Sequence, residues 1–273
     1  MTEYPKISVI TPSFNQGQFI EETILSVINQ TYPNIEYIVI DGKSNDNSVE
    51  IIEKYSNRLN YWISEKDNGQ TDAINKGFAI ATGEILCWIN SDDVLMPWAL
   101  EYVADYFIKH PKYKILNGYT LRIDKNSNLM FNHFVPRPMK WFAKHGVYYI
   151  NQPSMFFKKE LINNLGSINE KYHARMDQEF VMRVLNNNLQ FGKINKILAA
   201  IRIHDDTKTS QNGNIWETDL NLLQKEYGTV FKIKPDLSGK LIYGLYKLAN
   251  LDYLRQFLFK SKWKGKSIEE FIK

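Results

Sequence analysis

Between Ile7 and Ile89 the chain alternates short apolar runs with segments of helical spacing, and no other feature constrains its fold as tightly. Ile7–Ile10, Ile35–Ile40, Leu59–Ser64 and Ile85–Ile89 read as strands. Phe19–Gln30, Asn47–Tyr55 and Asp72–Thr82 read as helices, with Asn47 as a candidate cap. Strand and helix in this rhythm predict a parallel sheet with helices on both faces. The loops after the four strands then share one edge, and they carry Asn15, Asp41, Asp67 and Asp92. Open α/β sheets hold their ligands at that edge. Loops are polar for many reasons, yet an acid follows three of these four strands.

The fourth strand stops at Asn90-Ser91-Asp92-Asp93. Adjacent carboxylates repel each other unless a cation, hydrogen-bond donors or water compensates them. A hard divalent ion is the natural compensator, and its usual task is to hold a diphosphate. An Asp turn with capping duty is the competing reading. No Gly-x-Gly-x-x-Gly follows the first strand, which argues against a Rossmann dinucleotide site, and the absence of Gly-x-x-x-x-Gly-Lys-Ser/Thr excludes a P-loop.

Beyond Asp93 the pattern changes. Pro97–His110 reads as a helix, and Lys114–Ile123 with Leu129–Phe134 as a hairpin. Val135–Tyr149 is aromatic and basic, and Gln152-Pro153-Ser154 precedes an apolar trio. Lys158–Leu165, Asp177–Leu185 and Ile215–Tyr227 read as helices, with Asp177 as a candidate cap of the second. Gly192–Ile203 is a last strand region, followed by the polar loop His204–Thr209.

Over residues 5 to 210 the chain resembles the inverting family-2 glycosyltransferases, which have the GT-A fold. The resemblance is carried by Ser8–Asn15, Ile40–Asp46, Asp67–Gly77 and Asn90–Asp93, which are specific only in this order and spacing. It implies an α/β fold with a Rossmann-like, mostly parallel central sheet. It divides the chain into a GT-A domain over 1–212 and a helical, basic extension over 213–273. Within the domain the nucleotide-binding half covers about 1–95 and the acceptor half about 96–212.

The resemblance also implies the site. Thr11, Pro12, Ser13 and Asn15 would line the nucleotide, Asp41 would contact a pyrimidine base, and Asp67, Gly69, Asp72 and Asn75 would border base, ribose and pyrophosphate. Asp92 and Asp93 fall on the family's metal motif, with Mn2+ or Mg2+ as the ion. Asn90 stands where the family often has Asp, which points it to ribose rather than metal; Ser91 lies beside it. His204 would ligate the metal or touch phosphate, and Lys208 would assist the departing diphosphate. Gln152, Pro153, Met176 and Glu179 match acceptor-side motifs, and Asp177 matches the catalytic base. The implied reaction moves a sugar from a UDP-sugar to a glycan or lipid-linked glycan in cell-surface polysaccharide synthesis. A nucleotidyltransferase would usually carry a cationic, Gly-rich first loop, which Thr11–Gly17 lacks; a non-catalytic sugar-nucleotide binder would not need the intact acids.

Charge is uneven along the chain. From Lys232 onward ten cations face four anions, more than the whole chain's net +4, interleaved with leucines and aromatics. Such a tail reads as an element for an anionic membrane surface, or as a helical appendage packed on the domain or on a second subunit in a homodimer. Nucleic acid is a poor partner without a binding motif. Cys87 is the only cysteine, which fits a reducing compartment. No signal peptide or membrane span is evident, so the expected location is cytoplasmic, at the inner face of the membrane.

Overall fold

Four parallel strands form the first half of a nine-stranded sheet, in the order β3-β2-β1-β4. They are β1 (Ile7–Ser13), β2 (Ile35–Asp41), β3 (Tyr61–Ser64) and β4 (Ile85–Trp88). The crossovers are α1 (Ile20–Ile28), α2 (Ser48–Lys54) and α3 (Gln70–Ile80). This computed structural model describes residues 4–147, 151–205, 213–228, 230–249 and 251–273. Alternation along β1 places Ile7 and Val9 in one core with Ile20, Ile24 and Val27 of α1. Ile10 goes to the opposite core, with Ala73, Ile74 and Phe78 of α3. Each such buried aliphatic side chain contributes about 1.5–3 kcal/mol.

The second half adds β5 (Val94–Leu95), α4 (Ala99–Lys109), β6 (Ile115–Ile123), β7 (Leu129–His133), α5 (Lys140–Lys144), β8 (Met155–Lys158), α6 (Lys159–Leu165), α7 (Met176–Asn186) and β9 (Phe191–Arg202). The order continues β4-β8-β6-β9-β5, with β7 hydrogen-bonded to β6. Of these pairings β6 with β9 is the parallel one, so the sheet is parallel over its first four strands and mixed beyond them. The expected hairpin is β6–β7, and its turn is tied by Asp124, whose carboxylate accepts from Asn126 and Asn128.

Some boundaries differ from the sequence reading for identifiable reasons. β1 runs to Ser13 rather than Ile10, because β2 stays alongside as far as Ser13↔Asp41. Pairing with β4 ends at Ile10↔Trp88. Ser13 O accepts from Gly42 N on the β2 side, so Pro12 turns its missing N–H to the side that β4 has left, and no ladder bond is lost. The helix after Asp93 starts at Ala99 rather than Pro97, because β9 captures Val94 and Leu95 as a short strand. Asn47 stands at the N-cap of α2 but makes no capping bond; Asp46 accepts from Ser48 N instead.

Among the described residues four helices follow β9: α8 (Gly213–Tyr227), α9 (Leu237–Ala249), α10 (Asp252–Trp263) and α11 (Ile268–Ile272). Phe259 and Ile268 join Leu121, Ile123 and Leu129 in a third core. Leu129 exchanges backbone hydrogen bonds with Gly265 and Lys266. No described helix is long and apolar enough to cross a membrane.

Two glycines test the helix packing in opposite directions. A Cβ on Gly77 of α3 would lie 2.5 Å from Ile10 Cγ2 of β1, whereas one on Gly244 of α9 would meet nothing within 4 Å. Gly77→Val should lower stability by about 1–3 kcal/mol through overpacking. Gly244→Ala should raise it by about 0.5–1 kcal/mol through helix propensity. Urea denaturation of both variants checks the pair; equal shifts would contradict the α3–β1 contact.

Candidate active site

The loops after the parallel strands are cross-linked into one edge. Asn15, in the left-handed region at φ +52°, donates its N–H to Ser44 Oγ and accepts from Asn45 N. Thr11 Oγ1 is buried and 3.0 Å from Tyr37 Oη. Ser13 is buried, and among the described residues its hydroxyl has no hydrogen-bond partner, a polar group suited to a ligand or water. Asp41 is fully buried, and its carboxylate accepts from Ser44 N, Ser44 Oγ and Ser64 Oγ. It therefore braces the turn after β2. Asp67 lies over Gly42, where any Cβ would come within 2.6 Å of its carboxylate, and it accepts from Gly69 N. Gly69 opens α3 at φ +107°. Asp72 accepts from Asn68 N and so closes the loop back on the helix.

The quartet after β4 splits its two acids. Asp93 is buried; Arg202 N and Asn90 Nδ2 donate to its carboxylate, and burial, with the nearby Asp92 charge, raises its pKa well above the ordinary value. Asp92 turns the other way, and its Oδ2 lies 3.1 Å from His204 Nε2. Of the three residues the sequence offers as metal ligands, Asp92 and His204 meet, and Asp93 faces inward. Among the described residues no group of three acids, histidines or cysteines could hold an ion by itself.

Arg202, the last residue of β9, fixes this arrangement. It is 1% exposed. Its guanidinium donates to Asp92 O, Asp124 O, Ser127 Oγ and Glu22 Oε2, and it stacks on Phe19 at 4.8 Å. Phe19 also packs against the His204 ring. An arginine ending an apolar strand was the available signal, since arginine is rarely buried without partners.

Elements of the second half of the chain reach the same edge. Gln152 donates to Trp88 O, the last residue of β4, and its Oε1 lies 3.5 Å from Asn90 Nδ2. Asn90 Oδ1 accepts from Gln70, at the start of α3. Pro153 is buried in the same one-turn segment, Gln152–Ser154, and Ser91 is buried beside the acid pair. Thr71 donates to Met176, so α7 begins against α3.

Asp177 is in the first turn of α7, and its carboxylate accepts from Gln178 N. The cap position belongs to Arg175, which corrects the capping reading of Asp177. Burial raises the Asp177 pKa above the ordinary 3.8. Two expected site residues look elsewhere. Glu179 is buried against Arg183 and Tyr227, and Asn75 is spent on Ile168 and Glu170. Lys208, with Thr207 and Thr209, lies outside the described residues.

A family model described as glycosyl transferase family 2 matches residues 8–166, more than half of the chain. The chain belongs to that family. An uncharacterized glycosyltransferase of Methanocaldococcus jannaschii is 27% identical over 209 residues, covering 73% of this chain and 71% of that one. One from Mycobacterium tuberculosis is 31% identical over 186 residues, covering 67% of this chain and 70% of the relative. A Bacillus subtilis glycosyltransferase named for teichuronic acid biosynthesis is 32% identical over 120 residues, covering 43% of this chain and 48% of its own. Among solved structures, S. aureus TarS with UDP-GlcNAc matches at TM-score 0.61 and 22% identity, over 81% of this chain and 65% of that one. A Pyrobaculum calidifontis mannosyltransferase with GDP-Man and Mn2+ matches at TM-score 0.60 and 17% identity, over 84% and 65%. This chain therefore spans just under two thirds of each solved neighbour, and the likeness establishes the GT-A fold.

In this glycosyltransferase the segment before α7 is held by α8. One oxygen of the buried Asp219 accepts from the backbone N–H groups of His173, Ala174 and Arg175 at 2.6–2.9 Å. Arg175 stacks on Trp216 at 4.3 Å and donates to its carbonyl. Glu226 and Tyr227 bond Tyr172 and Glu179. No local sequence signal marks Asp219, because its partners are more than forty positions away. Asp219→Ala would leave three N–H groups without their acceptor and should cost about 3 kcal/mol or more. Denaturant melts and faster amide exchange at residues 173–177 check this; unchanged exchange there would contradict it.

Proposed function

We propose that this family-2 glycosyltransferase transfers a sugar, with inversion, from a UDP-sugar to a hydroxyl of a glycan or lipid-linked glycan in cell-surface polysaccharide synthesis. The observation that carries the reading is the meeting of donor-side and acceptor-side elements at Asn90. Gln70 and Gln152 both reach it, and Asp92 and His204 stand paired nearby. The TarS neighbour is a complex with UDP-GlcNAc and the mannosyltransferase a complex with GDP-Man and Mn2+, and both donors are nucleoside diphosphate sugars.

The residues suit a divalent ion. Two ligand atoms 3.1 Å apart, Asp92 Oδ2 and His204 Nε2, fit neighbouring positions around an ion with bonds of about 2.0–2.2 Å. Few protein ligands are needed when substrate phosphates complete the sphere. A bound Mn2+ or Mg2+ would supply charge to stabilise the departing diphosphate. Arg202 holds the Asp92 backbone, so the carboxylate is aimed before any donor arrives. On this reading Asp41 contacts the pyrimidine from a turn already braced by two serines. Thr11, Pro12, Ser13, Asn15 and Gly69 form the backbone rim of the pocket, and Asp67 and Asp72 shape the loop over it.

Asp177 acts as the base. It accepts the proton of the acceptor hydroxyl, the oxygen bonds to the anomeric carbon, and the bond from that carbon to the diphosphate breaks. Inversion follows because attack comes from the face opposite the leaving group. Burial disfavours the charged carboxylate and raises its affinity for a proton, which suits a base.

Two experiments test this. EDTA should abolish turnover and Mn2+ or Mg2+ restore it, while Asp92→Asn and His204→Ala should weaken metal-dependent UDP binding in calorimetry. Full activity in verified metal-free buffer would remove the ion from the reaction. Asp177→Asn should lower kcat by about 10²–10⁴ with UDP affinity unchanged. The carboxylate form is the active one and its pKa is raised, so transfer should fall on the acid side at a pH above the ordinary 3.8. A folded Asp177→Asn enzyme with normal transfer would exclude this residue as the base.

A further inference from the structure

Twelve large hydrophobic side chains among the described residues are more than half exposed, and nine of them lie between Leu237 and Leu258. They form stripes. At 100° per residue, Leu237, Leu241, Leu245 and Leu248 fall on one narrow face of α9. Leu254, Phe257 and Leu258 fall on one face of α10. The helices meet at Leu251, whose N–H donates to Leu248 O.

The stripes are not left over from loose packing, because the opposite faces are docked. Gly239 lies so close to His145 that a Cβ would sit 2.1 Å from its carbonyl oxygen, and Ser238 Oγ is 3.0 Å from His145 Nδ1. Tyr246 packs on Phe142 of α5. Phe259 and Asp252 of α10 are buried. The outer face is thus held outward by a fixed inner one.

Charge selects the occupant. Between Leu237 and Lys266 there are seven lysines and arginines and one acid, Asp252, which is 2% exposed. All charge offered to solvent by this segment is positive. A second copy meeting the same face would oppose one set of cations with the other. An anionic lipid surface neutralises them and takes the leucines into its acyl boundary. Trp141 of α5 is 54% exposed, and its ring lies 5.2 Å from that of His145, which itself contacts α9. An exposed tryptophan beside an amphipathic helix suits the headgroup layer.

We infer that α9 and α10 lie flat on an anionic membrane, leucines inward and lysines at the phosphates, with Trp141 at the rim. Binding to the membrane is independent of the proposed chemistry; only its use, presenting a lipid-linked acceptor, rests on that reading. Sedimentation of the full chain with phosphatidylglycerol-containing and pure phosphatidylcholine vesicles tests it. The anionic vesicles should bind at least about tenfold better at low salt, and the advantage should shrink as salt rises. Leu241→Asp/Leu245→Asp changes only exposed positions and should cut binding about tenfold, with far-UV circular dichroism and UDP affinity unchanged. Equal binding to both vesicles, or none, would overturn the inference. So would light scattering that shows a dimer abolished by the same pair, since the stripe would then be a self-association face. UDP binding in the same samples reports separately on the donor site.

Discussion

A single buried cation holds the centre of this enzyme together. Arg202 reaches Glu22 after the first loop, the Asp92 backbone after β4, and Asp124 and Ser127 in the β6–β7 turn, while its own N–H bonds Asp93. A guanidinium taken from water is costly unless its donors are used, and here the hydrogen bonds converge from three segments. Removing one partner of such a buried charge costs about 3–5 kcal/mol. The two halves of the sheet are therefore not merely adjacent. They share one electrostatic anchor, and the acid pair at the sheet edge takes its geometry from it.

That anchor explains how two neighbouring aspartates coexist. Asp93 is turned into the protein, where burial and donors favour a neutral or well-bonded carboxyl; Asp92 is turned to His204. Different surroundings give the two neighbouring carboxyls separate tasks. A similar division holds on α7, where Glu179 is locked to Arg183 and Tyr227 while Asp177, among the described residues, accepts from the backbone in its own turn. After β2, Asp41 accepts from three local donors and holds the turn.

The last helices serve two surfaces. α8 braces the start of α7 through Asp219 and Trp216, which makes a C-terminal segment part of the wall around the proposed base. α9 and α10 use one face for docking and leave the other, apolar and cationic, outward. Because α9 docks on α5, the outward face has a fixed relation to the catalytic domain.

The sequence by itself determined the parallel half of the sheet, the edge where its loops gather, and the family. Those depend on local periodicity and on motifs a few residues long: Ile7–Ile10 alternating, Phe19–Ile28 at helical spacing, Asn90–Asp93 at a strand end. It also marked the tail as basic and amphipathic. Tertiary structure alone decided which acid of each pair faces outward, that Val94 and Leu95 become a strand, that Asn75 and Glu179 are spent on packing, and that Asp219 holds the segment before α7. Each of those outcomes depends on partners distant in the chain, such as Ala200 for Val94 or His173 for Asp219. A local pattern records the period of a strand or helix, but the partner of a buried polar group is set by which surfaces meet when the chain closes.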